Sequence, residues 1–237
     1  MKTHILSAIC GILGAAVGTV AFTPERAAAV DGDEPVRFGH IIAERIDIVE
    51  PDGTLRQALY SKARDPGAVV KGKSYRHPSR TQSGMLFYND EGTEVGGLVF
   101  AGRRKADGTP SSGGSLTFDA YEQDQIVQLV GVKEGDTHYS GVFVSDRPAE
   151  PIDFALMDRI AGETDPAKRR ALAEQMDGDP GAVRGFFGRA TNGDSELALR
   201  DGEGRERLRI RVTQAGDAQI EFLDEAGDPV RTLRAVD

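Results

Sequence analysis

Six segments of this chain repeat one pattern: an alternating apolar run, then an acidic or amide residue, then a tight turn. The anchoring residues are Glu50, Asn89, Asp119, Asp146, Asp201 and Asp224. A side-chain oxygen at that position caps a turn by accepting backbone N–H groups two residues on. Four copies then close on glycine three residues later, at Gly53, Gly92, Gly204 and Gly227. Glycine there permits the left-handed backbone that closes a type I turn with a bulge. A second apolar run follows most anchors, over 55–60, 95–100, 126–132, 208–212 and 230–236. Alternation has the period of a pleated strand, and paired runs joined by such turns are antiparallel hairpins. The pattern therefore predicts a mainly β chain of repeated antiparallel β-hairpins. A barrel, a propeller-like body or a sandwich would each accommodate them.

The anchors are unevenly spaced, so the repeat carries insertions. The longest, 150–181, reads as helical. Thr164-Asp165-Pro166 is a start signal, Leu172 and Met176 fall on one helix face, and Gly178 with Pro180 ends the run. A shorter helix is predicted over 154–160. Two further insertions, 62–82 and 102–114, read as basic loops. The first holds Lys62, Arg64, Lys71, Lys73, Arg76 and Arg80 with His77, and the second Arg103, Arg104 and Lys105. The expected organisation is a first β block over 36–149, the helical insertion, and C-terminal hairpins over 182–237 that belong to the same domain.

The first 29 residues form a separate element. Lys2 and His4 precede an uncharged stretch over 5–22, broken by Pro24 and followed by Ala27-Ala28-Ala29. Charge, apolar run and small residues in that order read as an export signal cleaved before Val30. Retained, the same stretch would be long enough for a membrane anchor. Either reading places the body outside the cytoplasm, periplasmic or extracellular. Cys10, the one cysteine, lies inside the stretch with Ile9 before it, which does not fit a lipidation site. Without it the body can hold neither a disulfide nor a thiol nucleophile.

Among 237 residues, 38 acids outweigh 29 bases, for a net charge of −9. That balance argues against a nucleic-acid binder. His40, His77 and His138 stand far apart in sequence, without metal spacing. Phosphate-binding glycine loops, a dinucleotide fingerprint, a nucleophile elbow and a full calcium loop are missing. No cofactor and no metal is expected.

Two copies break the rule by lacking the closing glycine, and local rules fail most often at functional sites. In the third, Phe118-Asp119-Ala120-Tyr121-Glu122-Gln123-Asp124-Gln125 packs carboxylates, amides and an aromatic into one turn. Such a set can bind a sugar by stacking and hydrogen bonding, or hold a divalent cation. With the basic loop it defines the candidate binding residues: Arg76, His77, Arg80, Tyr121, Asp124 and Gln125. The bland alternative is a polar hairpin loop beside solvated basic loops.

Three runs, Glu44 to Gly53 (ERIDIVEPDG), Gly84 to Gly92 (GMLFYNDEG) and Gly113 to Asp119 (GGSLTFD), resemble a family of uncharacterised bacterial proteins. The resemblance covers about residues 36–147 and, more loosely, the C-terminal hairpins. It implies a bacterial setting, a short apolar N-terminus and a β-rich body, and no activity. The expected function is an envelope β module that binds a ligand or partner. An anionic glycan, a lipid head group and an envelope protein are the partners considered, with nucleic acid excluded. The alternative is a hydrolase of envelope carbohydrate or a phosphoester, using Asp119, Glu122 or Asp124 with His77.

Overall fold

The computed structural model describes residues 35–77, 80–176 and 181–235. The apolar segment 5–22, Cys10, the alanine triplet, Gly178, Pro180 and Val236 lie outside the described residues. Residues 42 onward form one compact unit.

The chain folds as successive hairpins except after Asp146, which leads not into the expected tight turn but into a helical connection. The first sheet strands are β1 (Arg45–Val49) and β2 (Leu55–Tyr60). A short hairpin interrupts them, formed by β3 (Ala68–Val70) and β4 (Lys73–Tyr75). The sheet resumes with β5 (Ser83–Tyr88), β6 (Glu94–Arg104), β7 (Pro110–Asp119), β8 (Gln125–Glu134) and β9 (Thr137–Asp146). Two helices follow, α1 (Phe154–Gly162) and α2 (Pro166–Ala173). The chain then returns through β10 (Ala182–Arg189), β11 (Ser195–Arg200), β12 (Glu206–Val212), β13 (Ala218–Leu223) and β14 (Pro229–Arg234). All but β3 and β4 join one twelve-stranded antiparallel sheet in sequence order.

The mainly β, hairpin-built body is as the sequence predicts. The hairpins line up as one open meander, with β1 and β14 as its edges. The described residues show neither a ring closure, nor separate blades, nor a second large sheet. Charge guards both edges, with Arg45 and Asp47 on β1, Arg231 and Arg234 on β14, and Pro229 unable to donate.

One turn builds most of the meander. At 50–54, 89–93, 201–205 and 224–228 the first residue bonds the fifth, and the fourth donates back to the first. Asn89, Asp201 and Asp224 each accept two backbone N–H groups through one side-chain oxygen. The same backbone turn recurs at 105–109, 190–194 and 213–217, closed by Gly108, Gly193 and Gly216 at positive φ. The stretch 102–114 is therefore no loop: β6 and β7 run through it to a five-residue turn.

A meander brings alternate turns to the same end. The turns at 50–54, 89–93, 120–124, 201–205 and 224–228 share one end of the sheet, which is dense in carboxylates. The opposite end carries Arg103, Arg104, Lys133 and Arg189.

The pleat divides the sheet into two faces. On one, register aligns a row of apolar residues, one from each strand. Ile46 pairs Leu59, which pairs Met85, then Leu98, Leu116 and Leu129. Val142, Phe187, Leu197, Ile210, Ile220 and Leu233 continue it to the far edge. On the other face lies the core, where Ala58, Tyr60, Leu86 and Tyr88 pack against Val69 of β3. The β3–β4 hairpin crosses that face lengthwise. Its tip is tied to the 89–93 turn by Lys71 N–H donating to Thr93 Oγ1 (2.9 Å) and Gly72 N–H to the Gly92 carbonyl (3.2 Å).

Both helices begin where the sequence signals a start. Asp153 caps α1 by accepting from Leu156 N–H, and Asp165 caps α2 ahead of Pro166. Helix α2 ends at Ala173, so Met176 lies beyond it and half-exposed.

Candidate functional site

The hairpin, α1 and the carboxylate-rich end of β6 to β8 enclose a cavity of about 380 Å³. Ala68, Val69 and Val70 of β3 form one wall, and Ile152, Phe154 and Met157 form another. Between them lie the polar groups: His77, Arg80, Glu94, Asp119 and the residues 122–125.

Local backbone geometry aims these groups. Each five-residue turn at this end leaves a register shift in the returning strand, as a bulge does. After 89–93 the shift sets Glu94 opposite Tyr88, which turns its carboxyl to the core face. The third hairpin departs from the others. Its backbone turn is framed by Ala120 and Asp124, not by Asp119. Asp119 is thereby released from capping, and ends β7 opposite Gln125 on the cavity side. The left-handed residue of this turn is Glu122 (φ 52°), one position before Gln123, which stands where the other copies have their left-handed glycine. A non-glycine side chain there is strained unless its surroundings hold it. Glu122 is held by Lys71 Nζ, 2.5 Å from its Oε1. Lys71 is itself left-handed (φ 49°), because a two-residue hairpin turn requires positive φ. Among the described residues these are the two non-glycine positions with positive φ, and they face each other across the cavity rim.

Arg80 is the central cation. Its side chain is 10% exposed, hydrogen bonded to Glu94 Oε1 and to the Gly67 carbonyl, and 3.6 Å from Asp65 Oδ1. Glu94 Oε2 and Asp119 Oδ1 are buried and have no hydrogen-bond partner. Burial, with the Asp119 charge adding to it and Arg80 opposing, pushes the Glu94 carboxyl up to about 7. Burial and then the Asp124 carboxylate raise Asp119 to about 6. Burial first, and Arg80 second, hold the His77 imidazole below its usual range, and its Nδ1 accepts from Arg80 N–H (3.2 Å). Near pH 6 the cavity thus presents two carboxyls able to donate as well as accept, beside an imidazole whose charged form burial disfavours.

Of the residues proposed from sequence, His77, Arg80, Asp124 and Gln125 line this cavity. Arg76 and Tyr121 do not. Arg76 binds Asp158 of α1 (Nε to Oδ1, 3.0 Å) and pins the helix to the end of β4. Tyr121 is exposed and its hydroxyl donates to Glu91 (2.6 Å). For the hydrolase alternative, Asp119, Glu122, Asp124 and His77 all reach the same cavity. From sequence, Glu94 is one of several carboxylates crowded at the second hairpin and is set aside with them, because Asn89 and Gly92 already explain a turn there. Phe154 and Met157 are not among the sequence candidates, because the helix expected over 154–160 is part of an insertion with no pattern that ties it to the third turn.

The basic loop over 62–82 is a hairpin and its flanks, and four of its six cations are ion-paired. Arg64 holds Glu44, Lys71 Glu122, Arg76 Asp158, and Arg80 both Glu94 and Asp65. The positive patch suggested by composition is thereby largely neutralised.

Among the described residues no group of three or more His, Asp or Glu side chains is disposed to hold a metal ion, and no helix is long and apolar enough to cross a membrane. No family model and no curated protein matches the chain.

Proposed function

We propose that this protein is an exported bacterial envelope module that binds a small neutral polyhydroxyl ligand, a carbohydrate unit, in the cavity beside Glu94 and Asp119. The observation that carries the reading is the pair of buried carboxyl oxygens, Glu94 Oε2 and Asp119 Oδ1, left without partners on two residues that line the cavity. An unpaired buried polar atom costs about 1–3 kcal/mol, which a ligand hydroxyl would recover. Carboxyls that titrate near neutrality match a hydroxyl, because both groups donate and accept. Phe154 and Met157 supply the apolar surface on which a sugar ring stacks.

Charge argues against an anionic ligand. Arg80 is already matched by Glu94 and Asp65, and Glu122 and Asp124 add further carboxylates. The binding test uses calorimetry at pH 6 with N-acetylglucosamine and cellobiose as neutral probes and glucose 6-phosphate as the anionic one. A neutral probe is expected to bind, and Glu94→Gln or Asp119→Asn to weaken it at least about tenfold, for one lost charge-assisted hydrogen bond. Preference for the phosphate, or equal binding by the variants, contradicts the reading.

A hydrolase is the second reading, favoured by one observation: two carboxyls raised to about 7 and about 6 share the cavity with His77. A general acid works best with a pKa near the operating pH. Release of nitrophenol from neutral aryl glycosides, abolished in Glu94→Gln, would establish catalysis. Export rests on the N-terminal pattern. Intact mass from the host is expected to show a chain beginning at Val30 in the soluble fraction, and a full-length mass in the membrane would establish the anchor.

A further inference from the structure

The cavity uses one face of the sheet. The opposite face carries the twelve-strand apolar row, and much of it is open. Phe187 is 66% exposed, Phe100 60% and Phe118 55%, with Leu129, Ile48 and Val144 close behind. Soluble chains rarely leave so long an apolar surface uncovered.

We propose that this face is the contact between two copies of the chain, stacked face to face as the two sheets of a sandwich. Size is the first argument. Twelve strands at about 4.8 Å make the row about 50 Å long, and the neighbouring apolar row makes it about 13 Å tall. Roughly 700 Å² per copy approaches the ~800 Å² per partner of a standard stable interface.

The second argument is charge. Charged side chains on this face sit at its margins. Arg104, Lys133 and Arg189 lie toward one end of the strands, six, four and two residues from the apolar row, and Arg231 lies on the edge strand β14. The other end carries the exposed turn acids Asp90, Glu91, Glu203 and Glu225. A two-fold axis along the apolar row lays each strand across the same strand of its partner, running the opposite way. It sets these turn acids of each copy over Arg104, Lys133 and Arg189 of the other. The row is then self-complementary, as a two-fold interface requires, and oppositely charged margins fix the register. The same stacking leaves the cavity on the outer face of each copy, so ligand binding and pairing are independent.

The test uses the full chain with Cys10→Ser and single cysteines introduced on one face or the other. Leu129→Cys and Ile220→Cys lie on the proposed axis, and Gln128→Cys lies on the opposite face. Sedimentation is expected to give a dimer, and a short bis-maleimide to join Leu129→Cys to its own copy and Ile220→Cys to its own copy, but not Gln128→Cys. Leu129→Glu with Phe187→Glu is expected to weaken the dimer at least about 100-fold, with an unchanged far-ultraviolet spectrum. A monomer at tens of micromolar overturns the proposal. So does equal crosslinking of both faces. A Leu129→Cys chain that keeps Cys10 and crosslinks within one molecule would instead assign the face to the N-terminal segment. Protection of Leu129→Cys by phosphatidylcholine vesicles would assign it to lipid. Either result overturns the dimer.

Discussion

Glu94 and Glu206 occupy the same place in two copies of one hairpin. Each follows a five-residue turn, each sits at a register shift, and their side chains are 15% and 17% exposed. Their partners differ. Glu206 has both oxygens engaged, Oε1 by Arg209 (2.5 Å) and Oε2 by Arg200 (3.5 Å). Glu94 has one oxygen on Arg80 and the other on nothing. The cover explains the contrast. Over β11 to β13 the sheet is roofed by its own arginines, which reach any carboxylate beneath them. Over β5 to β8 it is roofed by the β3–β4 hairpin and α1, which bring apolar walls and leave a cavity. The same local structure is thus a structural ion ladder in one half and a poised site in the other. The difference lies in the inserted segments, not in the repeat.

The contrast can be broken most strongly at its arginines. Arg80→Met leaves Glu94 and Asp65 buried without their cation, and should cost about 3–5 kcal/mol in urea unfolding. Arg209→Met, at a site 27% exposed, should cost about 1 kcal/mol, since Arg211 still reaches Glu221. Equal costs would mean that the two halves are roofed alike.

Proton linkage sharpens the same difference. The Glu94 carboxyl rises from 4.5 in the unfolded chain to about 7 in the fold. Below pH 4.5 both states hold the proton. Between pH 4.5 and 7 the unfolded chain has released it while the folded one retains it. Stability contributed by the neutral carboxyl is therefore lost as pH rises through that window, by an amount on the order of 3 kcal/mol. Asp119 acts in the same direction between 3.8 and about 6. Glu94→Gln should flatten the fall between pH 5 and 7 in a series of urea midpoints, and an unchanged slope would remove Glu94 as its source.

Smaller effects probe the roof. Asp153→Ala removes the cap of α1 and should cost about 1 kcal/mol. Hydrogen exchange should then speed up at α1 and β3 but not at β12. Tyr121→Phe should be the mildest change, within about 0.5 kcal/mol and without effect on sugar affinity, because Tyr121 stands outside the cavity lining and its hydroxyl donates to the exposed Glu91. A large loss of affinity would extend the site beyond the cavity.

Much of the repeat was legible in the chain, because its turns are chemically explicit. Asn89, Asp201 and Asp224 accept the N–H groups that such anchors accept, and Gly53, Gly92, Gly204 and Gly227 take the left-handed backbone. Three further turns carried the same signal in Asp107-Gly108, Asn192-Gly193 and Ala215-Gly216, and were obscured by the cations or long side chains around them. The β3–β4 hairpin was hidden for a similar reason. Its strands are three residues each, and Lys71, Lys73 and Arg76 read as solvated charge until their acidic partners are known. Those partners lie far off in sequence, Glu122 and Asp158 above all, so no local pattern discloses them. The site was half visible for a related reason. A missing glycine at the third turn pointed to 118–125, but the release of Asp119 depends on a one-residue shift of the turn frame. That shift is set by backbone pairing and leaves no mark in composition.

The most direct test follows the carboxyl carbons of Glu94 and Asp119 by NMR across a pH titration, with Glu94→Gln and Asp119→Asn to assign them. Midpoints near 7 for Glu94 and near 6 for Asp119 are predicted. Midpoints for both at their ordinary values, 4.5 and 3.8, would mean water-filled surroundings and no poised pair, and would contradict the site proposed for this fold.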